Sequence, residues 1–205
     1  MAVILMFKHQ TTIYSKRGII MNIEIISGSP RENSITHRVA LHLLKQLTTK
    51  TDHAINLLDV RDWDLPAIES VFKSVNETPA AFRELSERMF NADAFILVSP
   101  EYNGSYSPSL KNLLDHFPKQ HRKPFGIVTA SPGAMGGIRA ALQMQSLGMA
   151  LFGLVSPSML LVLEVEQKMD AAGNLLEKKF EHNVNHFVSE FLWLAEHVVE
   201  EKITV

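Results

Sequence analysis

The sequence predicts an α/β protein in which five strands alternate with helices and form a mostly parallel sheet. Short runs of consecutive apolar residues alternate along the chain with stretches whose apolar residues recur at helical spacing. One run, residues 94–98, is apolar at every position, which is typical of a strand buried on both faces of a parallel sheet. The chain has 205 residues, 46% of them hydrophobic, which is enough for the core of one domain.

The five predicted strands are short apolar runs bounded by turn residues. They cover residues 22–26, 54–58, 94–98, 125–130 and 159–163. The helices are recognised by apolar stripes with spacings of three and four residues. These stripes contain Ile35, Val39, Leu43, Leu44 and Leu47 in the first helix, Phe82, Leu85 and Met89 in the second, Leu110, Leu113 and Leu114 in the third, residues 138–151 in the fourth, and Phe180, Val184, Phe187, Phe191, Ala195 and Val198 in the last.

This order of elements predicts how the chain is connected. Parallel strands joined through helices require right-handed crossovers, so helices cover both faces of the sheet in a three-layer sandwich. For a chain of this length we expect the flavodoxin-like strand order 2-1-3-4-5. In that order the ligand crevice lies at the carboxyl ends of the strands, where the order reverses between strands 1 and 3. The loops after strands 1, 3 and 4 should therefore be neighbours.

Charge and composition exclude several functions. The net charge is only −2 and no run is rich in Lys or Arg, so we expect no nucleic-acid partner. The absence of cysteine excludes disulfides, thiolate metal sites and cysteine nucleophiles, and it suits the reducing cytoplasm, where we expect the protein to be. His182 and His186 are one helical turn apart, but no third ligand accompanies them. We interpret them as solvated or half-buried helix residues and expect no metal site.

The first twenty residues, 1–20, are interpreted as an extension, and the flavodoxin-like domain is expected to span residues 21–205. The apolar run at residues 2–7 is too short for a membrane span or the core of a signal peptide, so no membrane partner is expected. The alternative is a peripheral strand or an arm that packs on a partner chain.

Phosphate-binding chemistry is indicated in the loop after strand 1, SGSPRENSITHRVA. This loop combines Gly28 and the guanidinium of Arg31 with the hydroxyls of Ser29, Ser34 and Thr36. It leads into the amino end of a helix, where free N–H groups and the helix dipole favour an anion. It matches neither the Walker loop nor the GxGxxG turn. In an equally acceptable alternative, Ser34 is an ordinary N-cap and Arg31 a solvated loop charge.

The loop after strand 3, PEYNG, brings polar residues to the end of a very apolar strand. Asn103 and Gly104 normally predict a hairpin turn. A helix is predicted here instead, because Ser107 is a good N-cap and Pro108 suits the first helical position. In one interpretation the backbone of this loop lines a flat heteroaromatic ring. The alternative is a plain connector with Glu101 in water.

The loop after strand 4, SPGAMGGIRAALQ, is rich in glycine. Gly133, Gly136 and Gly137 allow a ligand to approach the backbone closely, and their amides can donate to carbonyl oxygens. Arg139 is interpreted as a structural or partner-pairing residue rather than a ligand. Together the three loops would supply a phosphate cup, a ring-lining wall and a glycine floor, which suits flavin mononucleotide (FMN).

These motifs resemble those of the NAD(P)H-dependent FMN reductases of flavodoxin-like fold, a family that includes chromate, quinone and azo reductases. The family pattern GSxRxxSxT/N is matched by Gly28, Ser29, Arg31, Ser34 and Thr36. The pattern PEYNxSxPxxLKNxxD is matched by residues 100–115 with the second proline one residue late, and GxxGGxRA by residues 133–140. The resemblance covers residues 21 to about 199.

The resemblance implies a set of FMN contacts and a reaction. The phosphate would be held by Ser29, Arg31, Ser34, Thr36 and the main chain of Ile35, the isoalloxazine lined by Pro100, Glu101, Tyr102, Asn103 and Gly104, and its pyrimidine side closed by Ser131 and Gly133. NADPH or NADH would pass hydride to FMN and on to a small electron acceptor such as a quinone, free flavin, azo compound or metal oxyanion. Because the cofactor carries the reaction, no catalytic side chain is expected.

Two other functions remain open. A flavodoxin-like FMN electron carrier would not oxidise NAD(P)H directly, and such carriers usually have acidic docking surfaces that a net charge of −2 hardly provides. A nucleotide-binding regulatory domain would have no redox activity.

The apolar helix at residues 140–151, with the methionines around it, predicts a homodimer or homotetramer. The segment Asp64-Leu65-Pro66 resembles the family's segment near the dimer interface.

Overall fold

The computed structural model describes residues 20–204, with side chains up to residue 199. The extension predicted at residues 1–20 therefore lies outside the described residues, except for Ile20. The described part contains a five-stranded parallel sheet in the order β2-β1-β3-β4-β5, which confirms the predicted topology. The strands are β1 (Asn22–Ser27), β2 (Ala54–Asp59), β3 (Ala94–Ser99), β4 (Pro124–Ala130) and β5 (Leu154–Val162).

Helices cover both faces of the sheet, as the three-layer prediction requires. They are α1 (Ile35–Lys50), α2 (Arg83–Asn91), α3 (Pro108–Asp115), α4 (Ile138–Ala150), the short α5 (Val165–Lys168) and α6 (Glu181–Thr204). On one face, α1 and α6 contribute Val39 and Phe187 to a buried apolar cluster. On the other, α2, α3 and α4 contribute Leu85, Leu110 and Met144 to a second cluster. None of the helices in the described part is both long and apolar enough to span a bilayer.

Both faces of the sheet are covered at its central strands. All residues of β3 are buried, as the continuous apolar run predicted. Helix α6 approaches β4 closely at Gly126, where a Cβ atom would lie 3.0 Å from the rings of both Phe187 and Phe191. On the opposite face the rings of Phe95 and Phe125 stack with their centroids 5.3 Å apart. Gly126 therefore lets α6 lie directly against the sheet.

The fifth strand differs most from its prediction. It begins at Leu154 rather than at residue 159, and it ends at Val162 rather than at residue 163. The residues Ser156, Pro157 and Ser158 interrupt the apolar run, which hides the first half of the strand from a hydrophobicity pattern. A proline is tolerated there because β5 lies at the edge of the sheet, where not every N–H group needs a partner.

Candidate active site

The carboxyl ends of four strands meet at one edge of the sheet. Ser27, at the end of β1, is in register with Asp59 of β2 and with Val98 of β3. Ser99 of β3 is in register with Thr129 of β4. The loops that follow these strands therefore start next to one another, as the strand order predicted.

Hydrogen bonds join loop 1 (residues 28–34) to loop 3 (residues 100–107). The N–H of Gly28 donates to the carbonyl of Val98 at 2.8 Å, and the hydroxyl of Ser107 donates to the carbonyl of Gly28. A Cβ atom at Gly28 would lie 3.0 Å from the Cβ of Leu110 and 3.1 Å from the carbonyl oxygen of Val98. Loop 1 thus passes so close to β3 and α3 that any larger side chain at residue 28 would crowd Leu110 and the backbone of β3.

The Asn103–Gly104 pair forms a hairpin turn even though a helix follows. The N–H of Tyr102 donates to the carbonyl of Ser105 at 2.8 Å, and the N–H of Ser105 donates back at 3.1 Å. Asn103 and Gly104 both have positive φ angles, 52° and 87°, as a two-residue turn of this kind requires. Ser107 then caps α3 by accepting from the N–H of Leu110 at 3.1 Å, as predicted.

Glu101 joins loop 3 to loop 4 (residues 131–137). Its carboxylate accepts from the backbone N–H groups of Arg139 at 3.1 Å and Ala140 at 3.4 Å, and forms an ion pair with Nε of Arg139 at 3.0 Å. The N-cap of α4 itself, Gly137, has no side chain with which to cap the helix. The Glu101 side chain is 14% exposed, so the interpretation that places it in water is wrong. Arg139 pairs with Glu101 within the chain, which agrees with the structural role that was one of the two predicted for it.

Loop 4 is fixed to the neighbouring strands. The N–H of Ser131 donates to the carbonyl of Val162 at 3.0 Å, and the N–H of Gly133 donates to Oγ of Ser131 at 3.0 Å. The hydroxyl of Thr129 donates to the carbonyl of Gly136 at 2.7 Å. Ser131 and Gly133 therefore lie at the same edge as loops 1 and 3, next to the amino end of α4.

Arg31, three residues before the N-cap of α1, has a guanidinium without a carboxylate partner among the described residues. Ser34 is the N-cap of α1, and its hydroxyl accepts from the N–H of His37 at 3.2 Å. The first turn of α1 contains no acidic residue of its own, and free N–H groups at a helix start favour an anion. The Arg31 guanidinium lies over the ring of Tyr102, 4.9 Å from its centroid, and pairs with no carboxylate among the described residues.

The other predicted residues of loop 1 differ in exposure. Ser29 and Thr36 are almost completely buried, and Oγ of Ser29 accepts from the N–H of Arg31 at 3.5 Å. Ser34 and Ile35 are partly exposed, and Arg31 is exposed. The structure thus brings all five together at the start of α1, with the guanidinium outermost.

Sequence reasoning missed a polar network beside loop 1. Asp59 accepts from Nε of Arg61 at 2.9 Å and lies 3.0 Å from Nδ1 of His37, whose Nδ1 is also 2.9 Å from Oγ of Ser27. Burial opposes ionisation of Asp59, but hydrogen bonds from His37 and Arg61 outweigh it and hold the pKa of this carboxyl well below its ordinary value. The available signal was an Asp-x-Arg sequence directly after strand 2.

This network is not a catalytic triad. In a triad the two ring nitrogens of the histidine contact the hydroxyl and the carboxylate separately. Here Nδ1 of His37 contacts both Ser27 and Asp59, and Ser27 is fully buried. The network therefore has a structural arrangement rather than that of a nucleophile and its base.

His182 and His186 are exposed on α6, and residues 20–199 contain no group of three or more His, Cys, Asp or Glu side chains placed to hold a metal.

Comparison with known proteins now identifies the family. A family model described as NADPH-dependent FMN reductase matches residues 21–167, which include all three loops. The chain belongs to the NADPH-dependent FMN reductase family. This reductase is similar to the FMN-dependent NADPH-azoreductase of Staphylococcus aureus, with 28% identity over 177 residues, 82% of this chain and 92% of the relative. The predicted family is thereby confirmed.

Solved structures show the same fold as this reductase. The flavoenzyme NAD(P)H:acceptor oxidoreductase FerB from Paracoccus denitrificans superposes with a TM-score of 0.71 at 20% identity, over 87% of this chain and 99% of its own. The NAD(P)H:quinone oxidoreductase from Methanothermobacter marburgensis superposes with a TM-score of 0.55 at 16% identity, over 85% and 98%. The reductase is thus an enzyme of the flavodoxin-like fold that uses FMN and a reduced nicotinamide dinucleotide to reduce small acceptors.

Proposed function

We propose that loops 1, 3 and 4 form the FMN site of this reductase, with the phosphate at loop 1 and the ring between loops 3 and 4. The observation that carries the proposal is the position of Arg31. Its guanidinium has no carboxylate partner in the described part of the chain, and Arg31 precedes by three residues the N-cap of a helix whose first turn has no acidic residue. Such a cluster of unused positive charge suits a dianionic phosphate.

At the phosphate end, Arg31 supplies the charge, and the first turn of α1 supplies N–H donors at Ile35 and Thr36. Ser29 and Ser34 supply hydroxyls at the two ends of loop 1. Because Ser29 and Thr36 are buried, a phosphate reaches them only if loop 1 adjusts, whereas Arg31 is exposed and Ser34 and Ile35 are partly exposed. This set of donors fits a phosphate.

At the ring end, the main chain of residues 100–104 forms the wall, and the amide of Gly133 and the hydroxyl of Ser131 close the opposite side. The Glu101 carboxylate is already bound to α4, so Glu101 contributes through its backbone. Tyr102 presents a ring face that Arg31 covers in this structure. When bound, FMN accepts hydride from the reduced nicotinamide and delivers electrons to the acceptor, so no side-chain acid, base or nucleophile is needed.

The acceptor we propose is a planar, electron-poor small molecule such as an azo compound or a quinone. The relative from Staphylococcus aureus is named an azoreductase and one structural neighbour a quinone oxidoreductase. The experiment is to purify the protein, record its flavin absorbance, and titrate it anaerobically with NADPH and with NADH. Bleaching by either donor, followed by recovery on adding a quinone or an azo dye, is expected. A flavin-bound protein that neither donor bleaches would point to an electron carrier instead.

We also propose a homodimer or homotetramer in the cytoplasm, formed through the outer side of α4. Most apolar side chains in the range 140–151 pack inward, and Met144 and Leu147 are buried. Only the outer side of this helix is therefore available to a partner subunit. Leu142 and Met149 are 50% and 61% exposed on its outer side. The segment at Leu65 and Pro66 packs beside α3, since Nδ2 of Asn112 donates to the carbonyl of Pro66 at 2.8 Å. A monomer mass by light scattering would refute the assembly.

A further inference from the structure

Arg61 lies in the short turn that follows β2 and contacts the backbone of loop 1. Its Nη1 donates to the carbonyl of Glu32 at 2.8 Å and lies 3.4 Å from the carbonyl of Arg31. Its Nε and Nη2 donate to the two carboxylate oxygens of Asp59 at 2.9 Å and 2.5 Å. The guanidinium therefore links the tip of loop 1 to the end of β2.

Asp59 holds Arg61 in a single orientation. The carboxylate is 7% exposed and also accepts from the backbone N–H of Arg61 at 3.0 Å. Nδ1 of His37, in the first turn of α1, lies 3.0 Å from the same carboxylate. A bidentate arginine–carboxylate pair is geometrically rigid, because the guanidinium is planar and its donors point in fixed directions.

This arrangement determines which groups of loop 1 can face an anion. A trans peptide unit is planar, and its N–H points opposite to its C=O. When the carbonyls of Arg31 and Glu32 point toward Arg61, the N–H groups of Glu32 and Asn33 point away from it. If Arg61 did not hold these peptides, they could turn and present carbonyl oxygens to a phosphate, which would repel it.

Arg61 is not itself placed as a phosphate ligand. The charge of its guanidinium is matched by that of Asp59, and its Nε, Nη1 and Nη2 groups are all hydrogen-bonded to protein oxygens. This separates Arg61 from Arg31, whose guanidinium has no carboxylate partner among the described residues.

We propose that Arg61, anchored by Asp59, is a positioning residue that fixes loop 1 so that its amide N–H groups face the FMN phosphate. The inference rests on the proposed FMN site. It adds a residue from the turn after β2 to a site otherwise built from loops 1, 3 and 4.

The test compares FMN with riboflavin, which has the same ring but no phosphate. Full-length protein freed of flavin is titrated with each ligand, and quenching of flavin fluorescence is measured. We expect Arg61→Gln to weaken FMN binding about tenfold or more, since a charge-assisted hydrogen bond is lost, and to change riboflavin binding less than about twofold. Arg38→Gln is the matched control, because Arg38 donates to the carbonyl of Met169 at 3.3 Å, and it should leave both affinities unchanged.

The outcomes separate this inference from the proposed site. If the unchanged protein binds neither ligand, the FMN site itself is wrong. If it prefers FMN and Arg61→Gln keeps that preference, Arg61 has no positioning role. Equal losses for FMN and riboflavin would indicate general distortion and would also overturn the inference.

Two further variants cover a failure of Arg61→Gln to fold. Arg61→Lys keeps the charge but cannot bind Asp59 and Glu32 at once, so FMN binding should stay weakened, and full recovery would contradict the proposal. Asp59→Asn removes the charge of the anchor and should also reduce the preference for FMN over riboflavin. An unchanged preference in this variant would count against the anchoring role, and thermal unfolding of each flavin-free variant shows whether it is folded.

Discussion

Glu101 caps helix α4 through the backbone N–H of Arg139, which lies 38 residues further along the chain. The same carboxylate pairs with Nε of Arg139 at 3.0 Å. The wall that loop 3 would offer to the flavin ring and the glycine-rich turn before α4 are therefore fixed to each other before any ligand binds. Pre-organised groups of this kind reduce the ordering cost of binding.

Replacing Glu101 by alanine should lower both stability and FMN affinity. The change leaves the amino end of α4 uncapped and the charge of Arg139 unpaired, and losing a cap costs about 1–2 kcal/mol in the free energy of unfolding. Urea unfolding measures this loss. Asp115→Ala is the control, because Asp115 pairs with Lys111 one helical turn away on a partly exposed surface, and it should cost less than about 0.5 kcal/mol. Equal losses in the two variants would argue against the capping role.

Replacing Arg31 by alanine should weaken FMN binding by about tenfold or more, because a charge-assisted contact to the phosphate is lost. The fold should be unaffected, because Arg31 is exposed and its described side-chain contact is with the ring of Tyr102. Fluorescence titration gives the affinity and thermal unfolding the stability. Lys50→Ala, at the other end of α1, serves as the control and should leave FMN binding unchanged. Unaltered affinity in the Arg31 variant would place the phosphate elsewhere.

The hydroxyl of Tyr102 is buried and has no hydrogen-bond partner among the described residues. A buried polar group without a partner costs free energy, so Tyr102→Phe should leave the free energy of unfolding unchanged or raise it by up to about 1 kcal/mol. FMN affinity should stay within about twofold, because the ring is retained. Chemical unfolding and titration measure the two effects. A loss of more than about 1 kcal/mol would show that the hydroxyl has a partner, such as a bound water.

Stability should fall on acidification because of His42. This ring projects from α1 and is buried, its Nδ1 lies 2.9 Å from the carbonyl of Gly173, and burial lowers its pKa below the ordinary value of 6.5. The unfolded chain therefore takes up a proton near pH 6.5 that the native state resists, so this contribution is present above that pH and is lost as the pH falls.

Urea unfolding between pH 7.5 and pH 5.5 measures the His42 effect. His42→Asn keeps a donor near the position of Nδ1 and removes the titration, so its free energy of unfolding should depend less on pH than that of the unchanged protein. The other eight of the nine histidines are common to both proteins and cancel in the comparison. Identical pH dependence in the two proteins would exclude His42 as the cause.

Donor and acceptor are expected to use one site in turn. Residues 20–204 form one sheet with one set of loops at its carboxyl edge, and no second dinucleotide-binding unit occurs in this range. Initial rates with varied NADPH at several fixed acceptor concentrations should therefore give parallel lines in double-reciprocal plots. Intersecting lines would mean that both molecules bind together.

The parts of the fold that the sequence could predict depend on local patterns. The apolar run of β3 and the Ser107–Pro108 start of α3 can each be read from a few consecutive residues, and both are confirmed. The start of β5 could not be read in this way, because Pro157 and its neighbouring serines are acceptable only at an edge position.

The site was predictable in its composition but not in its internal contacts. The glycines, hydroxyls and Arg31 form recognisable motifs within single loops. The capping of α4 by Glu101 and the hold of Arg61 on loop 1 join residues far apart in sequence, so they follow only once the strand order has been established.

The close approach of α6 to Gly126 also bears on how the protein is made. Phe187 and Phe191 of α6 cover β4, so this part of the sheet face stays open to water until α6 has left the ribosome, while α1 already covers β1 and β2 on the same face. The three loops are all synthesised earlier, but the platform beneath them is completed only by the final segment. A chain whose synthesis stopped before α6 would contain the residues of all three loops but would expose apolar residues of the sheet. It would be a substrate for chaperones and proteases rather than an enzyme.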